Sequence, residues 1–574
     1  LDWALKKELQ QLLAEEQGYY RYPPGTRTKF ALVYPNSYFV GMSNLGLHII
    51  YELLNKRGDT ACERVFLPER KKIQQYENTR TPLMSVESQL PLLDFEIIGF
   101  VLSFEMDYFN LVKILELGKV RLRAEERGEK DPLVIAGGPC ATFNPEPLSQ
   151  VVDAFVIGEG EAVMPGLMDA YHGAKAEGLS RRETLLKLSK VPGVYVPSLY
   201  EHEYDSEGRL ISIKVLPSAP EKVSRQWVKE LDAYPAHTVV VTDNTEFNFY
   251  LIETARGCGR HCRFCMAGYC FRRPRNRSLE VINREVQEAL KYRKRIGLMG
   301  AAISDYPEID ELCRDILGEG LSMSVASFRA DSVTEELVES LASSGLKTLT
   351  IAPEAGSVRM RAVINKGIEE KHVFNTVKLG LKAGIRNFKL YIMVGLPFEE
   401  EADIEAIIDL ANRVKDYMEE QGSKGTLTLS VNPFIPKPFT PFQWTPMADR
   451  KAVEQKLKHL EKSLRGRRHI VVNVESPKEA YVQGVLARGG RPVGEVLLKA
   501  CAAGGSKAFK KALKESGLRA EDELYRQRGE DECFPWDRLD MGFTRNYLYQ
   551  ELKRAEELKP TLPCFDNCHR CGVC

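Results

Sequence analysis

Two series of short apolar runs, each run followed by a helical stretch, constrain this chain more than any other feature. In the first series the runs begin at Phe30, Ile97, Leu133 and Asp153. They end in Pro35-Asn36-Ser37, Ser103-Phe104, Gly137-Gly138-Pro139-Cys140 and Gly158-Glu159. Buried strands alternating with helices make a parallel α/β sheet, because each parallel strand needs a crossover element and those elements cover the sheet faces. Open sheets of this kind bind ligands beyond the carboxyl ends of their strands. The four strand ends are therefore candidate ligand contacts.

The second series begins at Phe249. Its runs lie at 249–253, 321–328, 347–352, 388–395 and 426–431, with another strand ending at Met299-Gly300. Ser278 caps a helix whose Leu279, Ile282, Val286, Ala289 and Leu290 share one face, and Gly345 and Gly384 stop two others. These are six β/α units, short of the eight of a full barrel. The expected architecture is α/β throughout: a helical lead (1–28), a Rossmann-like parallel sheet (29–170), a connecting region (171–247), a partial (β/α)6 barrel (248–470) and a small, mostly α, Cys-rich C-terminal domain (471–574).

Lysine plus arginine and aspartate plus glutamate both number 80, so bulk charge gives no reason to expect nucleic acid. Local basic runs at 272–277 and 462–468 keep an RNA- or ribosome-binding reading open. No apolar stretch is long enough to cross a membrane. The first residues are charged and amphipathic, unlike a signal peptide. Of thirteen cysteines, eight fall within 258–270 and 564–574. Such clustering in a chain without a signal reads as metal binding in a reducing cytoplasm rather than as disulfides.

Cys258, Cys262 and Cys265 form C-x3-C-x2-C directly after an apolar run. A closed zinc site or a saturated iron–sulfur cube takes four ligands. Three cysteines hold a 4Fe–4S cube at three corners and leave one iron open; a zinc or redox loop is the alternative. Arg256, Arg260 and Arg263 bring positive charge that favours thiolates, or are ordinary loop residues. Cys270 reads as a packed thiol, since a fourth ligand would close the site. A second group, Cys564, Cys568, Cys571 and Cys574, supplies four ligands in eleven residues. It suits a saturated auxiliary 4Fe–4S cluster or a zinc knuckle.

The three-cysteine loop resembles that of the radical S-adenosylmethionine (SAM) superfamily. The resemblance implies that the open iron binds SAM, that SAM is cleaved reductively to a 5′-deoxyadenosyl radical, and that Phe264 lies near the adenine. It also implies SAM contacts at the following strand ends: Gly300, Ser327, Arg329, Glu354, Ser357 and Gly395. Gly300 stands where the superfamily has part of a Gly-Gly-Glu strip, a departure that bears on the amino-group contact. The segment 432–444, rich in proline and aromatics, resembles the end of the barrel in methylthiotransferases, and reads as a substrate-facing wall or a rigid linker.

The sheet of 29–170 resembles the cobalamin-binding domain of one radical SAM branch. The resemblance is carried by Pro35, Asn36, Ser37, Ser103, Phe104, Gly137, Gly138, Pro139, Cys140, Gly158 and Glu159. The Asp-x-His-x-x-Gly signature is absent, so cobalamin is expected without a protein histidine on cobalt. Cys140 faces the corrin or is a buried bystander. With the terminal cysteines, the whole chain resembles a bacterial family of cobalamin-domain radical SAM proteins. This implies a cobalamin-dependent methyltransferase acting on an unactivated carbon, with methylcobalamin between sheet and barrel mouth. It also implies a flavodoxin- or ferredoxin-type electron donor. Sulfur insertion or methylthiolation of RNA or protein is the rival chemistry.

Overall fold

The computed structural model describes residues 2–325, 328–519, 521–565 and 568–573, with Glu521 described by its backbone alone. The chain divides into two units. The first holds 1–248, 485–523 and 531–542; the second holds 249–484, 524–530 and 543–574.

In the first unit the apolar runs become β1 (Thr28–Tyr34), β2 (Thr60–Phe66), β3 (Ile97–Val101), β4 (Leu133–Gly137), β5 (Ala154–Val156) and β6 (Val194–Tyr195). Their order is β2-β1-β3-β4-β5-β6. All neighbours run parallel except β6, which is antiparallel to β5. Phe30, Ala31, Leu32 and Val33 are all buried, as a strand covered on both faces requires. The chain leaves β1 toward β2 and later returns to β3 on the other side. In open α/β sheets such a reversal is where ligands bind, here beyond the carboxyl ends of β1 and β3. A hairpin, β7 (Tyr200–Tyr204) with β8 (Leu210–Val215), and the short β9 (Val223–Ser224) follow.

β9 pairs with Leu539–Asp540, far along the chain. The helix Arg491–Ala502 also joins this unit. Asn144 donates to the carbonyls of Ala487 (3.1 Å) and Gly489 (2.8 Å), and Arg491 Nε meets Glu146 at 2.7 Å. The residues after 470 therefore form no unit of their own: 485–523 and 531–542 complete the first unit, and the rest belong to the second.

In the second unit β10 (Tyr250–Glu253) leads into β11 (Ala255–Arg256) and β12 (Arg275–Asn276), an antiparallel pair. Parallel strands follow: β13 (Arg295–Met299), β14 (Ser322–Val325), β15 (Thr348–Glu354), β16 (Asn387–Val394), β17 (Leu427–Pro433) and β18 (Ile470–Val474). Among the described residues they form two ladders, β10-β13-β14 and β15-β16-β17-β18. β18 adds a seventh parallel strand where the sequence pattern fades. Among the described residues no helix is long and apolar enough to cross a membrane.

Candidate metal centre

β11 and β12 close the base of the loop 257–274. Gly257 begins it with φ +85°, and a Cβ there would lie 2.0 Å from the Phe271 carbonyl oxygen, so a side chain has no room. Cys262 is buried, and Cys258 and Cys265 are half-buried. Burial and the neighbouring Cys262 and Cys258 sulfurs push the Cys265 thiol up to about 11; burial and Cys262 raise that of Cys258. The three sulfurs thus lie in one another's field. Among the described residues, no three His, Cys, Asp or Glu side chains converge on a point that would hold one metal ion. Three thiolates on one loop match in number three corners of a 4Fe–4S cube, each corner taking one sulfur.

The arginines of the loop are otherwise engaged. Arg256 pairs with Glu253 at 2.8 Å, and Arg260 pairs with Asp305 (2.5 Å) and Asp331 (3.2 Å). Arg263 is buried, donating to the carbonyls of Ala362, Val363 and Lys559 and to Glu551. Positive charge reaches the sulfurs from elsewhere. Arg329 Nη1 lies 3.8 Å from Cys262 Sγ, and its other nitrogens bond Asp331 and the Lys366 carbonyl. Lys366 is buried, with Nζ 3.1 Å from Glu354 Oε1 and 5.8 Å from the Phe264 ring centre. Sequence reasoning missed Lys366. It follows a short helix in Asn365-Lys366-Gly367, and only the tertiary fold brings it to the cysteines.

Phe264, Arg329 and Glu354 are therefore gathered beside the loop. Glu354 ends β15 with φ +66°, a left-handed conformation for a non-glycine residue. Gly300 lies just after β13, where a Cβ would come 3.3 Å from Thr254 Oγ1 and 2.9 Å from Ile303. Ser327 lies outside the described residues. Two further expected SAM contacts have local duties. Ser357 caps the helix Val358–Val363 and donates to Asp403 at 2.6 Å. Gly395, at φ +79°, gives its N–H to the Glu399 carboxylate. Cys270 is a buried thiol. Within 432–444, Phe442 and Trp444 are fully buried, and Trp444 meets Tyr549 edge-on at 5.2 Å. Arg272, Arg275 and Arg277 are likewise buried, so the run 272–277 is no basic surface patch.

Cys568 and Cys571 are buried and Cys564 is half-buried; Cys574 lies outside the described residues. The Cys564 N–H donates to the Gly259 carbonyl at 2.8 Å, which brings the terminal cysteines to the three-cysteine loop.

In the first unit, Pro35-Asn36-Ser37 and Ser103-Phe104 follow β1 and β3. Phe104 is exposed, and Asn36 donates to buried Asp107 at 3.1 Å. Burial pushes the Asp107 carboxyl up to about 6, against hydrogen bonds from Asn110 and Asn36. Ser37 and Phe39 also line a 590 Å³ cavity with the helix Trp3–Ala14 and the residues after β2. The other expected contacts lie at close approaches within the unit. A Cβ on Gly138 would lie 2.7 Å from the Leu102 carbonyl oxygen, and one on Gly158 would lie 2.0 Å from that of Gln226. Gly137 ends β4 against Val156, and Pro139 and Cys140 open a short helix in which Cys140 is buried. Glu159 is buried, accepting from the Val228 N–H at 2.9 Å. These glycines let backbone approach backbone.

Comparison with known proteins agrees with this division. Residues 46–197 match the family described as radical SAM proteins, N-terminal, and residues 252–411 match the radical SAM superfamily. Uncharacterized protein MJ0966 of Methanocaldococcus jannaschii is 32% identical over 463 residues, which span 80% of this chain and 88% of that protein. The putative methylthiotransferase MJ0865 of the same organism is 25% identical over 292 residues, 48% of this chain and 56% of that one. Among solved structures, the radical SAM methyltransferase TsrM of Kitasatospora setae, with cobalamin and a [4Fe-4S] cluster bound, superposes with a TM-score of 0.49. It is 13% identical, with 85% of this chain and 99% of that chain covered. With the superfamily's match lying across the three-cysteine loop and a relative alike along most of both chains, this chain belongs to the radical SAM superfamily.

Proposed function

We propose that this protein is a cobalamin-dependent radical SAM enzyme that transfers a methyl group to an unactivated carbon. One observation carries the reading. Besides the three-cysteine loop, the chain builds a separate, mostly parallel sheet whose strand order reverses between β1 and β3, and residues 35–37 and 103–104 follow those two strands, where open sheets bind ligands. Cys258, Cys262 and Cys265 would hold a 4Fe–4S cluster able to supply the electron for SAM cleavage, and residues 35–37 and 103–104 would hold a corrinoid able to supply the methyl group.

The chain's own residues prepare those sites. Arg329 and Lys366 offset the negative charge of bound thiolates. Arg329 is locked by Asp331 and a backbone carbonyl, so its charge needs no reorganisation. Lys366 also fixes Glu354 at the end of β15, and that carboxylate is the acidic group offered to SAM there. In the first unit, exposed Phe104 offers an apolar face and Asn36 is held by Asp107. His48 is not free to ligate cobalt: Nε2 faces the Met42 carbonyl at 3.0 Å and Nδ1 accepts from Val239 and Val240. Cys564, Cys568, Cys571 and Cys574 would hold a second iron–sulfur cluster, and a flavodoxin- or ferredoxin-type protein would donate the electrons.

Protein purified anaerobically after expression with cobalamin tests this reading. Near one corrinoid per chain, with SAM cleavage, supports it and calls for methyl-transfer assays. SAM cleavage without corrinoid overturns the methyl-transfer mechanism and leaves the radical SAM assignment in place.

A further inference from the structure

His261, inside the three-cysteine loop, is unlike a bystander. It is fully buried, with φ +56°. Its Nδ1 receives Arg272 Nη1 at 3.0 Å and the Tyr547 hydroxyl at 2.8 Å. Its Nε2 lies 3.3 Å from Cys564 Sγ.

The tautomer follows from the partners. A guanidinium has only donors, so Nδ1 facing Arg272 must be the acceptor. The neutral ring then carries its proton on Nε2, and that N–H points at the Cys564 sulfur. Arg272 is itself buried over the Tyr269 ring, at 5.3 Å, and is fixed in this role. A second contact ties the same two places. Cys564 N–H donates to the Gly259 carbonyl at 2.8 Å, and a Cβ on Gly259 would come 3.2 Å from Cys564 Cβ. The first cysteine of the terminal group is thus pinned to the loop by one backbone and one side-chain hydrogen bond.

We infer that His261 is a positioning residue that donates an Nε2–H···S hydrogen bond to the Cys564 corner of the terminal iron–sulfur cluster and so sets that cluster's reduction potential. This rests on the reading of the terminal cysteines as a second cluster. Hydrogen bonds to cluster sulfurs are among the determinants of potential, because they stabilise the more negative, reduced state. A donor from within the radical SAM loop also makes the terminal cluster's potential sensitive to how that loop is held.

The test uses the full chain, reconstituted anaerobically with iron and sulfide. A C258A/C262A/C265A variant keeps only the terminal cluster, whose potential is followed by EPR-monitored titration with and without H261L or H261Q. The expected result is about four iron per chain in the triple variant, a more negative potential with H261L, and partial recovery with H261Q, whose amide can still donate. Wild-type protein labelled with 15N-histidine supplies a readout needing no substitution: pulsed EPR of the reduced terminal cluster should show coupling to one histidine nitrogen and one exchangeable proton. If the triple variant binds no iron, the terminal-cluster reading fails and this inference fails with it. If iron binds but H261L leaves the potential unmoved, or the labelled protein shows no such coupling, the inference alone is overturned. Should H261L lose the cluster, the labelled wild type decides.

Discussion

Removing the buried cation Lys366 should cost stability and cluster potential together. Lys366→Met leaves Glu354, only 16% exposed at its side chain, without its 3.1 Å partner. Breaking a fully buried pair costs about 3–5 kcal/mol, and an exposed pair contributes about 0–1 kcal/mol. The partial exposure of Glu354 places the expected loss between these limits, at about 2–3 kcal/mol. At roughly 2–4 °C per kcal/mol for a unit of a couple of hundred residues, Tm should fall by about 4–12 °C. The assay is thermal and denaturant unfolding of metal-free protein, which separates folding from cluster retention. Glu354→Gln and the double variant complete a cycle. If the ion pair carries the effect, the double variant is less destabilised than the sum of the two singles by more than about 0.5 kcal/mol. An additive cycle, or a Tm for Lys366→Met within a degree of wild type, would refute the reasoning. In reconstituted protein the same substitution should make the loop cluster's potential more negative, because it removes a positive charge near Cys262.

Other outcomes follow from the two units. Alanine at any of Cys258, Cys262 or Cys265 should abolish SAM cleavage and lower bound iron, measured by iron assay and 5′-deoxyadenosine release. Ser103→Trp, which adds bulk at an exposed position after β3, should reduce corrinoid retained per chain while leaving Tm near wild type. Gly138→Ala, at φ +102° and against the Leu102 backbone, should destabilise the first unit by about 2 kcal/mol or more, read by denaturant unfolding. Asp107, pushed up to about 6 mainly by burial, holds its proton more tightly folded than unfolded. Its contribution is therefore most favourable below its ordinary value, falls as pH rises toward 6 and is flat above. Asp107→Asn should gain on wild type in unfolding free energy between pH 4 and pH 7; a constant difference across that window would count against the shift.

How much the sequence disclosed depended on whether the signal was local. Strands β1, β3 and β4 carry their own apolar runs, so their existence was legible. Strand order was not, because the reversal between β1 and β3 is set by packing. Gly138 and Gly158 signal close approach in the sequence without saying to what, and the structure puts the Leu102 and Gln226 backbones there. The resemblance offers Ser357 as a SAM contact, and only the structure shows the helix it caps. β18 is hard to read because Ile470–Val474 is short, only partly buried and directly follows the basic run 462–468. The buried arginines of 272–277 make the complementary point: charge in a sequence is no measure of exposure when Glu253 and aromatic rings await it.

The first unit is not finished when its first 248 residues are made. Its Asn144 and Glu146 find the partners described above only at 487, 489 and 491, and β9 finds its neighbour only at 539–540. During synthesis on the ribosome, the amino-terminal sheet must therefore wait, with those polar groups still bound to water, while the whole stretch of the second unit's parallel strands emerges. The sheet that begins the chain closes among the last of its parts. Nascent protein should show a protease-sensitive amino-terminal half until residues beyond 540 have left the exit tunnel.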